Sequence, residues 1–316
     1  MPGSLVPGMN VQQRITSPTA VRSSPTSRVF DYALPVVFVL LWASGFVVPR
    51  AFAPYTEPFT FVTARNAGAA LVLVLAALAL RRPWPARGAD RLGLMWTGAL
   101  LQGFFLMAGY WAIVNGLAVG VAALIGALQP GLTALFAARM VGEGLSRRQW
   151  FGLALGFAGV AVVISPKLAG GAHASVMLAL VFLAGIACAA YASVYQKRFE
   201  RTGDAWTRTA LIFIGATIPA ALGIPFEDGS VSVTVPLVAV YLWSVFALAI
   251  GATMTLLYLI GKGEAAKAAS LVYLVPPVSA VMAYVGFAEP IGWALIAGFA
   301  IAALGVWLVQ GKPSDL

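Results

Sequence analysis

The chain has 316 residues, of which 60% are hydrophobic and only 10% are charged, and its mean hydropathy is +0.89. A soluble domain carries about 25% charged residues, so the composition excludes a soluble globular protein and indicates a polytopic membrane protein. The net charge of +9 follows from Lys and Arg in the loops, and we expect no nucleic-acid partner. Cys188 is the only cysteine, which excludes an intrachain disulfide.

Residues 1–30 differ from the rest of the chain, because they are rich in Ser, Pro and Thr. They lack the apolar core of a signal peptide. We interpret them as a disordered cytoplasmic tail, or as the result of a misassigned translation start.

Apolar runs long enough to cross a bilayer, which takes about 20 residues, follow this tail. In chain order they cover 32–49, 58–80, 92–114, 117–138, 149–165, 174–196, 205–225, 235–260, 265–287 and 290–309. The stretch from Leu92 to Ala138 is too long for one span, and we divide it at Asn115-Gly116 because these residues favour turns. The sequence therefore predicts an all-α integral membrane protein with ten transmembrane helices.

Positive residues indicate the orientation of these spans. If the N-terminus is cytoplasmic, all of the 20 Lys and Arg residues except Arg50, Arg65 and Lys167 fall in cytoplasmic segments. Cytoplasmic loops of membrane proteins carry an excess of Lys and Arg. We therefore predict a multi-pass protein of the cytoplasmic (inner) membrane with both termini in the cytoplasm.

The second half of the chain repeats the first. When the sequence is compared with itself at a constant residue offset, the segment that starts at Leu128 aligns without gaps with the segment that starts at Leu274. This repeat shift pairs Pro130 with Pro276, Glu143 with Glu289, Gly152 with Gly298, and Gly159 with Gly305. Because it moves helix four onto helix nine, an odd number of spans, the copies should have opposite orientations in the membrane. Inverted-topology repeats of this kind recur in secondary transporters, with the substrate site near the midplane.

Pro130, Pro276 and the adjacent Pro277 lie within predicted helices four and nine. Proline removes a hydrogen-bond donor and bends or breaks a helix, and a neighbouring helix or cavity water can bind the freed carbonyl. We predict a gating or cavity-lining bend at these prolines, although proline is also common in membrane helices without such a role. Glu143 and Glu289 each precede a helix, and we expect them to serve in helix capping and loop anchoring, with substrate binding as the alternative.

Arg65, about two turns into helix two, is the main candidate for a substrate site. An arginine at the centre of a membrane helix costs roughly 2.5–3.5 kcal/mol on insertion scales. Its side chain either anchors a substrate carboxylate, extends to the outer interface, or pairs with helix-one carbonyls. The other candidate substrate-binding residues are Trp42, Ser44, Gln102, Tyr110, Gln129, Tyr191, Tyr195, Thr253, Tyr258 and Tyr273. Aromatic rings can hold an apolar group while hydroxyls and amides bind polar ends, and each ring could equally be a packing residue.

The acidic residues and the histidine lie outside the predicted membrane interior. The 11 acidic residues lie in loops, tails or helix ends, and His173 lies in the loop that joins the halves. Because a proton relay needs a carboxylate or imidazole inside the membrane, we infer a facilitator. The sequence contains no cluster with metal-ligand spacing and no phosphate-binding Gly-rich loop. We therefore expect no enzyme, no metal, no cofactor and no ATP-driven pump.

Several segments resemble the EamA-type family of the drug/metabolite transporter superfamily in their order and spacing. They are LWASGFVVPR (41–50), PFTFVTARNAGAALVL (58–73), ALIGALQP (123–130), GEGLSRRQWFGLALGFAGVAVV (142–163) and AEPIGWALIAGFAIAALGVWLV (288–309). The resemblance implies two inverted five-helix repeats, 31–166 and 174–310, in a cytoplasmic-membrane carrier. Such carriers are commonly bacterial exporters of amino acids or other small metabolites. One departure is Gly45, where the family commonly has asparagine.

The predicted function is a secondary transporter that exports amino acids or related metabolites by alternating access. Its expected partners are the lipid bilayer and a small-molecule substrate, with a monomer as the working unit. Three alternatives stay open. A carrier of nucleotide-linked or phosphorylated sugars would need two or more cations in the cavity, and a proton-coupled multidrug exporter would need a membrane carboxylate. A membrane scaffold would show no saturable flux.

Overall fold

The computed structural model describes residues 25–142, 144–169, 173–199, 203–253, 255, 271 and 274–310. The helices of the first half are α1 (Pro25–Phe52), α2 (Pro58–Ala79), α3 (Gly88–Gly98), α4 (Phe105–Val114), α5 (Val119–Gly126), α6 (Gln129–Val141) and α7 (Arg147–Ala169). Those of the second half are α8 (His173–Phe199), α9 (Ala205–Gly223), α10 (Val235–Leu242), α11 (Val275–Phe287) and α12 (Trp293–Gln310). In these ranges the extended structure consists of one isolated bridge, between Thr56 and Val231.

The prediction of an all-helical multi-pass membrane protein is confirmed. Within the described ranges, seven helical stretches have the length and composition to cross a bilayer. Three shorter apolar helices accompany them: Val36–Phe52, Val275–Phe287 and Trp293–Val309. The total of ten spans stays a prediction.

Two helix boundaries bear on the sequence analysis. The predicted turn at Asn115-Gly116 is confirmed, because α4 ends at Val114 and Gly116 has a φ of +109°, a conformation that favours glycine. In contrast, α1 begins at Pro25, inside the segment interpreted as a tail; proline suits a first helical turn because that turn needs no N–H donor. Residues 1–24 of the tail lie outside the described ranges. His173 begins α8 and does not lie in a loop.

Spans four and nine contain equivalent helices. Span four is broken between α5 and α6, and Leu128 immediately precedes α6 with φ −75° and ψ −15°. Leu274 precedes α11 with φ −80° and ψ −13°. The repeat shift that aligns the sequences also moves both ends of α6 onto the ends of α11. Pro130 and Pro276 each lie in the first turn of these helices, where their missing N–H is tolerated.

Two π-helical segments also occupy equivalent positions in the halves. Ala99–Phe104 joins α3 to α4, and Trp243–Ala252 continues α10. The repeat shift moves the first segment into the second. Neither segment is predicted by the sequence pattern. π-Helical turns are rare and often lie at functional sites, so their position in both halves directs attention to the space between them.

The two halves interlock through their helices. The most extensive helix pair is α7 with α12, followed by α2 with α9. α8 packs against α4 and α6. Phe182 and Ile186 of α8 are fully buried in the main apolar cluster, whereas Phe52 and Phe61 belong to a second cluster. The candidate site lies between these clusters.

Carboxylates connect the ends of helices from different halves. Glu289 was expected to cap a helix and anchor a loop, and its contacts are of this kind, although the helix end that it binds is the start of α5 and not that of the helix that follows it. Its Oε2 accepts a hydrogen bond from the backbone N–H of Val119 at the start of α5 (2.9 Å), and its Oε1 accepts one from Arg50 Nε (2.8 Å). Glu227 similarly accepts hydrogen bonds from the N–H groups of Phe59 and Thr60 in the first turn of α2. Glu143 lies outside the described residues.

Candidate functional site

A cavity of about 100 Å³ lies between the two π-helical segments and α1. Its lining comes from α1, α2, the first π-helical segment, α4, α8 and the second π-helical segment. The lining residues are Leu41, Trp42, Gly45, Phe46, Arg65, Gln102, Phe105, Leu106, Gly109, Tyr110, Ile113, Phe182, Leu248, Ala252 and Thr253. The volume is sufficient for several water molecules or part of a small solute.

Five of the predicted substrate-binding residues line this cavity: Trp42, Arg65, Gln102, Tyr110 and Thr253. They come from α1, α2, the first π-helical segment, α4 and the residue after the second π-helical segment, so distant parts of the sequence contribute to one space. The π-helical segments place Gln102 and Leu248, which the repeat shift pairs with each other, on the wall of the same cavity. The roles of these residues in binding stay a prediction.

Arg65 is 4% exposed, although its side chain carries a charge. Its Nε donates a hydrogen bond to Ser244 Oγ (3.1 Å), and its Nη1 donates one to Asn66 Oδ1 (2.9 Å). The guanidinium carbon lies 6.0 Å from the centroid of the Phe213 ring. These contacts exclude extension to the outer interface in this conformation. One hydrogen bond reaches Ser244 in the second half of the chain and the other stays within α2, so neither joins Arg65 to helix one.

The partners of Arg65 are all uncharged. The ion pairs among the described residues are Arg50–Glu289 and Arg82–Asp204, and neither includes Arg65. Neutral hydrogen-bond acceptors orient a guanidinium without neutralising it. Since burying an unpaired charge is costly, an anionic group in the cavity would stabilise this arrangement.

Two residues that orient Arg65 were missed by the sequence analysis. Asn66 is fully buried, and its Nδ2 donates long hydrogen bonds to the carbonyls of Gln102 and Ala216 (3.4 Å each). Ser244 is also fully buried, and its Oγ accepts the hydrogen bond from Arg65 Nε. Asn66 could have been found as a second polar residue beside Arg65, whereas a single serine in an apolar span carries no such signal.

The remaining predicted residues lie away from this cavity or outside the described part of the chain. Ser44 Oγ donates to the Leu41 carbonyl (2.8 Å) and accepts from Trp243 Nε1 (3.1 Å), so it joins α1 to the second π-helical segment. Gln129 begins α6 and is absent from the cavity lining. Tyr258 and Tyr273 fall outside the described residues.

Tyr191 and Tyr195 belong to a ladder of aromatic rings on α8. Tyr191 packs edge-on against Phe136 with ring centroids 5.8 Å apart, and the Tyr191 and Tyr195 centroids are 6.4 Å apart. Tyr195 in turn lies 4.9 Å from the Phe199 ring. In this conformation they are packing residues, and neither lines the cavity.

A second cavity, of about 240 Å³, lies beside the helix breaks. Leu124 and Ala127 contribute to it from the break in span four, and Pro276 and Pro277 from the first turn of α11. The rest of its lining, including Phe299, comes from α12. Two of the predicted bend residues, Pro276 and Pro277, therefore line this cavity, whereas Pro130 is not part of its lining.

A multi-pass helical protein with repeated halves and a cavity that contains a buried arginine has the architecture of a membrane transporter. A model of the EamA-like transporter family matches residues 32–165 and 176–310, and the chain belongs to this family. It is 30% identical over 284 residues to a Bacillus subtilis (strain 168) protein named "Uncharacterized transporter YvbV", covering 87% of this chain and 89% of that protein. The chain is also similar to a solved crystal structure, with a TM-score of 0.59 and 23% sequence identity. The similarity covers 91% of this chain and 97% of that chain, and it shows the fold alone.

Proposed function

We propose that this transporter is a facilitator that exports amino acids or related small metabolites by alternating access. The observation that carries the proposal is the environment of Arg65, a buried guanidinium on the cavity wall whose hydrogen-bond partners are neutral. A carboxylate in the cavity would supply the missing negative charge. Arginine is suited to this role because its planar N–H groups match a carboxylate.

The distribution of polarity in the cavity supports an amphipathic substrate. Arg65, Gln102 and Thr253 offer groups that bind a polar end. Phe105 and Phe182, whose ring centroids are 5.8 Å apart, form an apolar wall. Ligand sites commonly combine a mostly apolar lining with a few polar groups that orient the ligand, and an amino acid with an apolar side chain has both features.

The lining also separates this proposal from the alternatives. Among the described residues it contains one cation, Arg65, whereas a phosphorylated or nucleotide-linked sugar would need further positive charge. It contains no acidic residue or histidine among the described positions, so a proton-coupled mechanism finds no support there. A scaffold would have no need for a buried arginine beside a cavity.

The orientation in the membrane is part of the proposal. Ten spans with both termini in the cytoplasm place the loops rich in Lys and Arg on the inner side of the cytoplasmic membrane. The two five-helix repeats, 31–166 and 174–310, would then be inverted relative to each other, as alternating access between repeats requires. A single chain would contain the whole transport pathway.

Counterflow in liposomes tests the function. Purified protein is reconstituted, and exchange of labelled amino acids, sugars and cationic dyes is measured with and without a pH gradient. We expect saturable amino-acid exchange that does not depend on the pH gradient and is lost in Arg65→Ala. Arg87→Gln, which removes an exposed arginine outside the cavity, is the matched control and should retain full exchange.

Three outcomes would contradict the proposal. Exchange driven by the pH gradient would replace the facilitator with a coupled carrier. Exchange of sugars or dyes without amino acids would change the substrate class. No flux from correctly folded protein would favour a scaffold.

A further inference from the structure

Gly45 of α1 leaves open space on the cavity wall. A Cβ atom at this position would have Leu248 Cδ1, at 3.9 Å, as its nearest neighbour, which is an ordinary van der Waals distance. Gly109, which lines the same cavity, is different, because a Cβ atom there would lie 2.6 Å from the Phe182 ring. Gly109 therefore permits close packing, whereas Gly45 provides volume that a side chain could occupy.

The apolar walls around this space are held in place by their own contacts. The Phe46 ring packs edge-on against Phe182, with centroids 6.4 Å apart. On another side Phe46 is so close to α5 that a Cβ atom on Gly126 would lie 2.9 Å from it. Well-packed side chains do not move into neighbouring space without cost. The volume beside Gly45 is therefore available to a ligand.

We propose that Gly45 determines the largest apolar group that the transporter accepts. The space beside Gly45, bounded by Phe46 and Leu248, holds the apolar side chain of the substrate while its carboxylate binds Arg65. The inference rests on the proposed function, because it assigns two ends of an amphipathic substrate to two parts of one cavity. A side chain introduced at position 45 would exclude large substrates before small ones.

Substrate selectivity of Gly45 variants tests this assignment. Counterflow of labelled alanine, leucine and tryptophan is compared in wild type, Gly45→Ala and Gly45→Leu. We expect Gly45→Leu to lose at least about tenfold in the tryptophan-to-alanine rate ratio, which corresponds to about 1.4 kcal/mol, and Gly45→Ala to show a smaller change. Gly286→Leu is the matched control, because a Cβ atom there meets no atom within 4 Å and Gly286 is outside the cavity. An unchanged ratio in folded Gly45→Leu would overturn the proposal.

A chemical test of the same position does not depend on transport. In a Cys188→Ala background, Gly45→Cys provides the only thiol, and its reaction with thiosulfonate reagents of increasing size reports the available volume. We expect small reagents to react and a reagent with a bulky aromatic group to react more slowly. Equal rates for all sizes, or no reaction in folded protein, would overturn the proposal. If wild type transports none of the three amino acids, the proposed function fails, and the thiol rates still decide whether position 45 limits size.

Discussion

Gly152 of α7 packs directly on the backbone of Gly305 in α12. A Cβ atom on Gly152 would lie 2.5 Å from the Gly305 carbonyl oxygen, and a Cβ atom on Gly305 would lie 2.5 Å from the Gly152 carbonyl oxygen. Gly159 and Gly298 form the equivalent pair, with 2.8 Å in both directions. Gly298 and Gly305 are the repeat equivalents of Gly152 and Gly159. The two contacts are therefore equivalent to each other, as expected for a twofold axis between α7 and α12.

Substitution of Gly152 should disrupt this helix pair. Gly152→Leu places a side chain against the backbone of α12, and overpacking of this kind typically costs about 1–3 kcal/mol. We expect a lower thermal unfolding midpoint in detergent, measured by fluorescence-detected size exclusion after heating. Gly286→Leu, where a Cβ atom has open space, should leave the midpoint almost unchanged. Similar midpoints for both variants would show that the close contact does not stabilise the protein.

The helices could be predicted from the sequence because each is a long apolar run whose ends are marked by local signals. The turn at Asn115-Gly116 and the helix starts at Pro130 and Pro276 are examples. Turn residues and prolines affect only the backbone within a few residues of themselves, so their effect can be predicted locally. For Arg65 the sequence left extension to the outer interface open as one alternative, and the contacts with Ser244 and Asn66 exclude it in this conformation.

The rest of the site depends on contacts between distant segments and on helix geometry. The π-helical segments change the direction in which the side chains of Gln102 and Leu248 point. No residue type in these apolar runs signals a π-helix. Tyr191 is a cavity candidate from the sequence because an aromatic ring can hold an apolar group, but the residue type does not reveal what the ring contacts. Its partner, Phe136, comes from another helix.

Replacement of the helix-breaking prolines should affect transport more than folding. Pro130→Ala restores an N–H group that can bond to the carbonyl four residues earlier and join α5 to α6. If movement at the break is part of the transport cycle, this change slows flux; we expect roughly tenfold, or about 1.4 kcal/mol in the barrier. Pro276→Ala should behave similarly. Flux is measured by counterflow, and stability by the thermal midpoint of the same preparations.

Pro166→Ala is the control for this experiment. Pro166 is exposed and lies inside the continuous helix α7. Its replacement restores an N–H group within a helix that has no break, so it should leave flux unchanged and should not lower stability. Normal flux in Pro130→Ala and Pro276→Ala at unchanged thermal midpoints would show that the breaks have no part in transport.

The Arg50–Glu289 pair should stabilise the contact between the two halves. Glu289→Ala removes the acceptor for Arg50 and for the N–H of Val119, and we expect roughly 1–2 kcal/mol of destabilisation. The side chains are 26% and 17% exposed, so solvent screening reduces the ionic part of this contribution. Asp90→Ala, which removes an exposed carboxylate at the start of α3, should have little effect.

A double-mutant cycle separates the ion pair from the helix cap. Glu289→Ala, Arg50→Ala and the double variant are compared by thermal unfolding. Coupled residues show an interaction energy of about 0.5 kcal/mol or more, whereas independent residues add within about 0.3–0.5 kcal/mol. Additive effects would show that the stabilisation comes from the Val119 cap and not from the pair.

The proposed orientation predicts which surface positions a membrane-impermeant thiol reagent reaches in intact cells. In a Cys188→Ala background, Asn115→Cys and Ser230→Cys lie in loops that should face outward, and Arg87→Cys and Ala205→Cys lie on the cytoplasmic side. All four positions are exposed, so differences in burial do not determine their labelling. We expect labelling of the first two in intact cells and of the last two only after permeabilisation. Because each half contributes one position on each side, the reverse pattern in one half alone would show that the two repeats are not inverted as proposed.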